Sequence, residues 1–173
     1  MHVLFDKLKR EIIRLYSQYL NRIVEIKRIF NKFETIEISN EEFKVTPHEF
    51  WREFRRDGWE RETYDNFRRN ITEETTFLDL GAWVGICSMW ASVIGCKKIY
   101  AIEANPKSYE LLTKTINANR SLRGLITLSN QCISNVNGDV VKFGKKLSSN
   151  SMISKEGHYE VTTITLTKYI KDM

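Results

Sequence analysis

Two short stretches hold the residues that could bind a nucleotide-like ligand. Residues 76–85 read TFLDLGAWVG, an apolar strand with Asp79 near its end and Gly81 in the turn that follows. Residues 99–106 read IYAIEANP, a second apolar strand that ends in Glu103, followed by Asn105 as the expected N-cap of a helix and Pro106 at its first position. Glu103 lies 22 residues after Gly81, close to the offset of about 20 residues that brings a ribose-binding acid level with a glycine turn on a parallel sheet. The spacing therefore predicts a pocket between the turn and the acid.

The glycine turn suits a ligand that lies against the main chain. Gly81 and Gly85 permit a sharp bend and leave no Cβ in the way of a ligand. The start of the following helix adds unpaired N–H groups and the positive end of the helix dipole. Such a turn can hold a carboxylate or a ribose, and in principle a phosphate.

The residues around the turn narrow the class of ligand. A phosphate-binding P-loop needs Gly-Lys-Ser/Thr, whereas Gly85 is followed by residues 86–88, Ile-Cys-Ser. A dinucleotide site needs a glycine two residues after Gly81, where this chain has Trp83. We therefore expect no diphosphate, although the indole of Trp83 could equally line the pocket or fill the core. S-adenosylmethionine, which has a ribose but no phosphate, fits better.

Each part of S-adenosylmethionine has a candidate partner. Glu103 can accept hydrogen bonds from both ribose hydroxyls, and Asp79 can meet the ligand ammonium in a charge-assisted bond. The adenine would lie near Ala104 and the turn after the third strand. That turn consists of Asn130, Gln131 and Cys132. The alternative is that the glycines serve a tight turn without a ligand, Glu103 is a solvated acid and Asp79 caps a helix.

The order of apolar segments predicts an α/β fold. Strand and helix patterns alternate over residues 77–128, and right-handed crossovers arrange three such strands in a parallel, Rossmann-like sheet in the order 3-2-1. Two further strands, 140–143 and 160–164, are expected to pair antiparallel around a loop at 144–157. A helix begins at Leu166.

A basic amphipathic helix is predicted over residues 3–33, ahead of the rest. Its apolar residues follow a coiled-coil-like spacing that Arg22 interrupts. They are Phe5, Leu8, Ile12, Leu15, Tyr19, Ile26, Ile29 and Phe33. The helix could pack on its own domain, pair with a second copy in a homodimer, or lie on an anionic membrane surface. A small hairpin is expected next, with strands 35–38 and 43–46 joined by a turn at 39–42. We therefore divide the chain into the N-terminal helix (1–33), the hairpin with two helices (34–75), and a partial S-adenosylmethionine-binding domain (76–173).

The charge distribution separates the N-terminal helix from the other 140 residues. Residues 1–33 contain eight Lys/Arg and three Asp/Glu, which accounts for the whole net charge of +5, and residues 34–173 contain nineteen of each. A surface that tracks phosphates needs a basic excess, so we expect no nucleic-acid partner.

Composition sets the remaining expectations. No apolar run reaches the roughly 18 residues of a transmembrane segment. His2, His48 and His158 match no zinc spacing, so we expect no metal. Three cysteines without a C-x-x-C pair fit a reducing compartment, and a cytoplasmic location is the default.

These motifs, taken in order, resemble the FkbM-type branch of class I S-adenosylmethionine-dependent methyltransferases. The resemblance rests on residues 77–85 (FLDLGAWVG), 100–106 (YAIEANP) and 111–119 (LLTKTINAN), with weaker similarity in flanking segments. Those segments are 59–63, 134–138, 149–152 and 161–166.

The resemblance implies O-methyl transfer to a hydroxyl of a sugar or small natural product. It also implies a cofactor site formed by Asp79, Gly81, Ala82, Gly85, Glu103 and the Asn130–Cys132 turn, with Glu60 near it. The family continues into a further core strand with an Asp-Ile-Glu-Gly-x-Glu motif, expected just beyond Met173. We interpret the chain as a fragment whose later strands are missing; a partner chain that supplies them and a degraded gene product are the alternatives.

The catalytic residue is left unassigned by the sequence. Methyl transfer from a sulfonium needs alignment and a base for the hydroxyl proton, and the weak candidates for that base are His158, Tyr64 and Asp65. Two rival functions stay open: a cofactor-binding module without turnover, and a nicotinamide-dependent Rossmann enzyme.

Overall fold

The computed structural model describes residues 2–30, 32–143 and 157–173. The helices are α1 (His2–Ile29), α2 (Glu49–Asp57), α3 (Arg61–Asn70), α4 (Ile86–Ile94), α5 (Pro106–Ala118) and α6 (Leu166–Asp172). The strands are β1 (Glu34–Ile38), β2 (Glu41–Val45), β3 (Thr76–Leu80), β4 (Lys98–Ile102), β5 (Ile126–Ser129), β6 (Cys132–Ser134), β7 (Val140–Phe143) and β8 (Tyr159–Thr165). The predicted loop at 144–157, except its last residue, and the segment 149–152 lie outside the described residues.

A three-stranded parallel sheet forms the centre of the fold. Its strands lie in the order β3-β4-β5, with α4 and α5 as the crossovers. In this register Asp79 lies opposite Ala101, and Ile102 lies opposite Ser129. The predicted α/β fold with strand order 3-2-1 is confirmed, and so is the N-terminal helix. Within the described ranges β3 pairs with β4 alone.

The two faces of the sheet have different cover. Ile99 and Ala101 face a large core that includes Met89 of α4 and Leu112 of α5, all of them fully buried. On the other face Ile102 packs in a small cluster with residues of β8 and α6. The carboxyl ends of the parallel strands lie at one edge of this sheet, which is where ligands bind in open α/β folds.

Local capping fixes the start of α5, directly after Glu103. The side chain of Asn105 accepts a hydrogen bond from the N–H of Lys107 at 2.9 Å, and Pro106 occupies the first helical position. Both are standard signals for a helix start. The predicted cap is confirmed, and the acid is thereby held two residues ahead of the helix.

Some predicted boundaries are wrong. The hairpin turn is only Ser39–Asn40, both with positive φ, whereas residues 39–42 were expected to form it. Helix α1 ends at Ile29 rather than at residue 33. Cys132 is not a turn residue: it begins β6, a strand that the sequence did not predict because it is only three residues long, and that pairs parallel with β8. The predicted antiparallel pairing of β7 with β8 is confirmed.

Candidate functional site

The glycine turn is tied to the end of the neighbouring strand. The backbone N–H groups of Gly81 and Ala82 both donate to the carbonyl oxygen of Ile102, at 2.9 and 3.0 Å. Gly81 has a φ of +81°, and a Cβ built there would meet nothing within 4 Å. The turn thus bends toward the residue that precedes Glu103 and leaves open space above Gly81.

Gly85 has a different role from Gly81. It is the N-cap of α4 with a φ of +93°, and a Cβ there would lie 2.7 Å from Cδ1 of the buried Leu112. Glycine at this position therefore permits close packing of α4 on α5. This contact belongs to the core, so Gly85 shapes the turn without being required to touch a ligand.

Glu103 is held by the main chain on both sides of its carboxylate. Oε2 accepts from the N–H of Trp83 and Oε1 accepts from the N–H of Asn105, each at 2.7 Å. The residue is 6% exposed. Burial raises the pKa of the carboxyl, the two N–H bonds oppose that rise, and the charge of Asp79 adds to it. Each oxygen keeps a further lone pair, so the carboxylate can still accept a ligand diol.

Asp79 is buried at the end of β3 and bonded to α4. The hydroxyl of Ser88 donates to Oδ2 at 2.5 Å, and Asp79 is 7% exposed. Burial raises the pKa of this carboxyl, and the bonds from Ser88 oppose the rise. Among the described residues neither Asp79 nor Glu103 forms a salt bridge. In the described part of the chain, the turn therefore has two buried acids without a cation paired to either.

Glu60 adds a third carboxylate within electrostatic reach. Burial, together with the charges of Asp79 and Glu60, raises the pKa of the Cys87 thiol to about 12. Cys87 lies in the first turn of α4, so both acids act at the start of that helix. Glu60 is exposed, and its carboxylate accepts from the hydroxyl of Thr63 at 3.1 Å. The resulting negative region favours a cationic ligand.

The indole of Trp83 packs in the core. Its ring centroid lies 5.0 Å from that of His48 and 4.8 Å from that of Phe50, while its backbone N–H faces Glu103. Of the two alternatives for this residue, the structure shows core packing. A diphosphate is thus disfavoured by the two buried acids, since like charges repel, rather than by an indole across the turn.

Of the three residues that follow β5, Asn130 and Cys132 lie near Glu103, whereas Gln131 lines a separate cleft. The side-chain amide of Asn130 donates to the carbonyl oxygens of Glu103 and Ala104, at 2.7 and 3.1 Å. Cys132 is buried, and burial and then the charge of Glu103 raise the pKa of its thiol. Gln131 instead accepts from the hydroxyl of Ser129 at 2.8 Å and lines a cleft of about 450 Å³ on the α6 side of the sheet.

Ser88 is the residue that the sequence interpretation missed. Its available signal was a serine in the first turn of the helix after the glycine turn, three residues beyond Gly85. Of the weak candidates for a base, Tyr64 packs on Trp90 and shares a hydrogen bond with Ser39, while His158 is exposed. The structure therefore adds a partner for Asp79 but assigns no base.

The described residues offer neither a metal-binding cluster nor a membrane-spanning helix. Within the described ranges no three His, Cys, Asp or Glu residues lie close enough together to hold a metal ion. Among the described helices none is both long and apolar enough to span a bilayer.

Several solved structures are similar to part of this chain. A complex of aTrm5 with tRNALeu is 23% identical, with 64% of this chain and 30% of that chain covered and a TM-score of 0.44. TYW2 of M. jannaschii in complex with AdoMet is 17% identical, with 57% and 43% covered and a TM-score of 0.40. A SAM-dependent methyltransferase from Agrobacterium tumefaciens is 14% identical, with 58% and 33% covered and a TM-score of 0.43.

This chain spans less than half the length of each of those proteins. At TM-scores below 0.5 the similarity assigns neither family nor ligand. No protein-family model matches the chain, and no curated protein matches it. What the chain itself defines is an α/β, Rossmann-like sheet with an acidic glycine turn at the carboxyl ends of its strands.

Proposed function

We propose that the glycine turn and Glu103 bind S-adenosylmethionine and that the chain is part of a methyltransferase of the FkbM-type branch. The supporting observation is the position of Glu103: two main-chain N–H groups at 2.7 Å orient its carboxylate beside the turn. The turn itself leaves open space above Gly81. A sugar diol is the ligand group that such an oriented acid recognises in parallel sheets.

The charge of the site agrees with this ligand. S-adenosylmethionine has a sulfonium and an ammonium, and the turn has the buried acids Asp79 and Glu103. In our proposal Glu103 accepts from the ribose hydroxyls and Asp79 meets the ammonium. The adenine lies by Ala104 and Asn130, which the Asn130 amide already ties together. In the same proposal Ala82 and Glu60 border the site, as the sequence resemblance implies.

The chemistry proposed is methyl transfer to a hydroxyl of a sugar or small natural product. When bound, the sulfonium supplies an activated methyl carbon. The acceptor hydroxyl oxygen would take the place of sulfur on that carbon, and its proton would pass to a base. In this proposal the residues of the chain hold the methyl donor in line with the acceptor and exclude water from the site. Such alignment lowers the activation barrier of methyl transfer. The base is not among the residues that the site brings together.

Nucleic acid is not among the methyl acceptors that we propose, because of the charge of the chain. Residues 34–173 have nineteen basic and nineteen acidic residues, and phosphate-tracking surfaces have a basic excess. An RNA acceptor is therefore one of the outcomes that would contradict this part of the proposal. The tRNA in the aTrm5 complex belongs to that protein.

Isothermal titration calorimetry on the purified chain tests the cofactor. We expect heat with S-adenosylmethionine and S-adenosylhomocysteine and none with NAD. Glu103→Gln should weaken binding by about 10-fold or more, because an acceptor lost from a buried hydrogen bond to a ligand costs on the order of 1.5 kcal/mol or more. Glu74→Gln, at an exposed acid paired with Lys97, is the matched control and should bind normally.

Three outcomes would separate the alternatives. Binding without turnover on any hydroxylated acceptor supports a cofactor-binding module. Tighter binding of NAD than of S-adenosylmethionine supports a nicotinamide enzyme. No heat with either sulfur compound removes the proposed function.

A further inference from the structure

Helix α1 has an apolar stripe that its own domain leaves exposed. The stripe consists of Phe5, Leu8, Ile12, Leu15, Tyr19 and Ile26, with Arg22 between the last two. In the described part of the chain, each of these six side chains is between 53% and 70% exposed. Together they exceed the scattered single apolar residues of a normal monomer surface and form a continuous patch, which usually marks an interaction site.

A different side of the same helix already packs on the domain. Val24 is buried, and Leu20, Ile23 and Lys27 are half-buried. These four lie about a quarter turn around the helix from the stripe, at 3.6 residues per turn. The ion pair of Lys27 with Glu34, at 2.8 Å, fixes this side to β1. The domain therefore holds α1 by one side and leaves the stripe accessible.

The spacing of the stripe indicates what covers it. From Phe5 to Ile26 the positions advance by three and four residues in strict alternation, including Arg22. This is a repeat of 3.5 residues, and a straight helix drifts by about 20° per heptad from it. The drift is removed only when the helix supercoils around another helix. A flat bilayer surface requires no such repeat.

A groove on the surface of α1 borders the stripe. It has a volume of about 620 Å³ and is lined by Leu15, Tyr19 and Arg22 at stripe positions and by the polar residues Gln18, Asn21 and Glu25 beside them. In a coiled coil, side chains of the second helix pack into such gaps.

We propose that α1 pairs with the α1 of a second copy of this chain as an antiparallel two-stranded coiled coil. The position of Arg22 selects this direction. A parallel, in-register pair would bring two Arg22 guanidinium groups together in the seam, and like charges repel. In the antiparallel register that we propose, Arg22 is level with Ile12 of the second copy. The neighbour of Ile12 is the acidic Glu11, which is exposed and pairs with Arg14 of its own helix.

The antiparallel register fixes further neighbours. With Arg22 level with Ile12, Leu15 faces Tyr19 and Leu8 faces Ile26 of the other copy. The described helix has 28 residues, about 42 Å at 1.5 Å per residue. Antiparallel pairing places the two globular domains at opposite ends of the coiled coil, so they do not compete for space.

Sedimentation velocity of the full chain over a range of concentrations tests the pairing. The wild-type chain should dimerise, and the double variant Ile12→Asp with Leu15→Asp should weaken dimerisation by about 100-fold or more, because it places two charges in each helix of the seam. Ser17→Asp, a charge on the polar side of the same helix, is the matched control and should dimerise normally. Both altered side chains are exposed in the monomer, so the variant should unfold at the wild-type temperature when dilute.

Crosslinking tests the direction. Leu8→Cys and Ile26→Cys chains, mixed and oxidised, should form the mixed disulfide dimer, with the wild-type chain as control for the three native cysteines. Leu8→Cys chains that crosslink only with each other would overturn the antiparallel register. A chain that stays monomeric at every concentration, and that floats with phosphatidylcholine–phosphatidylserine vesicles through α1, would overturn the pairing itself.

Discussion

The glycine turn and the N-terminal helix differ in whether their side chains find partners within the chain. At the turn, the two buried carboxylates are hydrogen-bonded within the chain: Glu103 accepts from Trp83 and Asn105, and Asp79 from Ser88. On α1, the large apolar side chains of the stripe face outward. The comparison teaches that the polar groups of the turn find their partners within the described part of the chain, whereas the apolar stripe finds no cover there.

Gly85→Ala should have the largest effect on the free energy of unfolding. It would sharpen the comparison between the turn and α1. A φ of +93° and a Cβ 2.7 Å from Leu112 combine backbone strain with overpacking, which we expect to lower the free energy of unfolding by about 3 kcal/mol. Chemical denaturation measures it. The loss should be the same at every protein concentration, unlike any effect of the stripe variants.

Gly81→Ala is the matched control for that substitution. Its φ is also positive, but no atom lies within 4 Å of the added Cβ, so only about 1 kcal/mol of strain is expected. Equal losses for the two alanine variants would contradict the packing role assigned to Gly85.

A smaller effect on stability is expected from the titration of the buried carboxyl groups. Burial raises the pKa of Asp79 and of Glu103, so above the ordinary carboxyl pKa of about 4 these two groups bind more protons in the folded protein than in the unfolded chain. The free energy of unfolding should therefore fall as the pH rises from about 4 through the raised pKa values.

Asp79→Asn removes one of the two titrating groups. We expect its Tm to exceed that of the wild type by about 3 °C at pH 8, with a smaller difference at pH 5. Thermal unfolding at the two pH values measures this. A wild-type free energy of unfolding that rises with pH over this range would show that the charges of the two carboxylates are stabilised in the folded protein. That result would weaken the contrast drawn between the turn and α1.

The sequence predicted best what depends on neighbouring residues. The Asn105 cap with Pro106, the alternation of strands and helices, and the offset between Gly81 and Glu103 follow local rules of capping, periodicity and turn chemistry. The structure has each of them where the pattern placed it. The hairpin strands were also expected, although their turn is two residues shorter than predicted.

What the sequence could not predict depends on contacts between distant segments. The clash that requires glycine at Gly85 comes from Leu112, 27 residues later. The indole of Trp83 packs on His48 and Phe50 of the segment before the sheet. Such packing is decided by tertiary structure, which no local pattern encodes.

The position of the ligand is the central claim, and backbone amide NMR shifts test it most directly. With S-adenosylhomocysteine added to the isotopically labelled chain, the amides of Gly81, Trp83 and Asn105 should shift the most, because they line or hold the Glu103 carboxylate. Amides of α1 should not move. Shifts concentrated elsewhere, or none at saturating ligand, would contradict the proposed site.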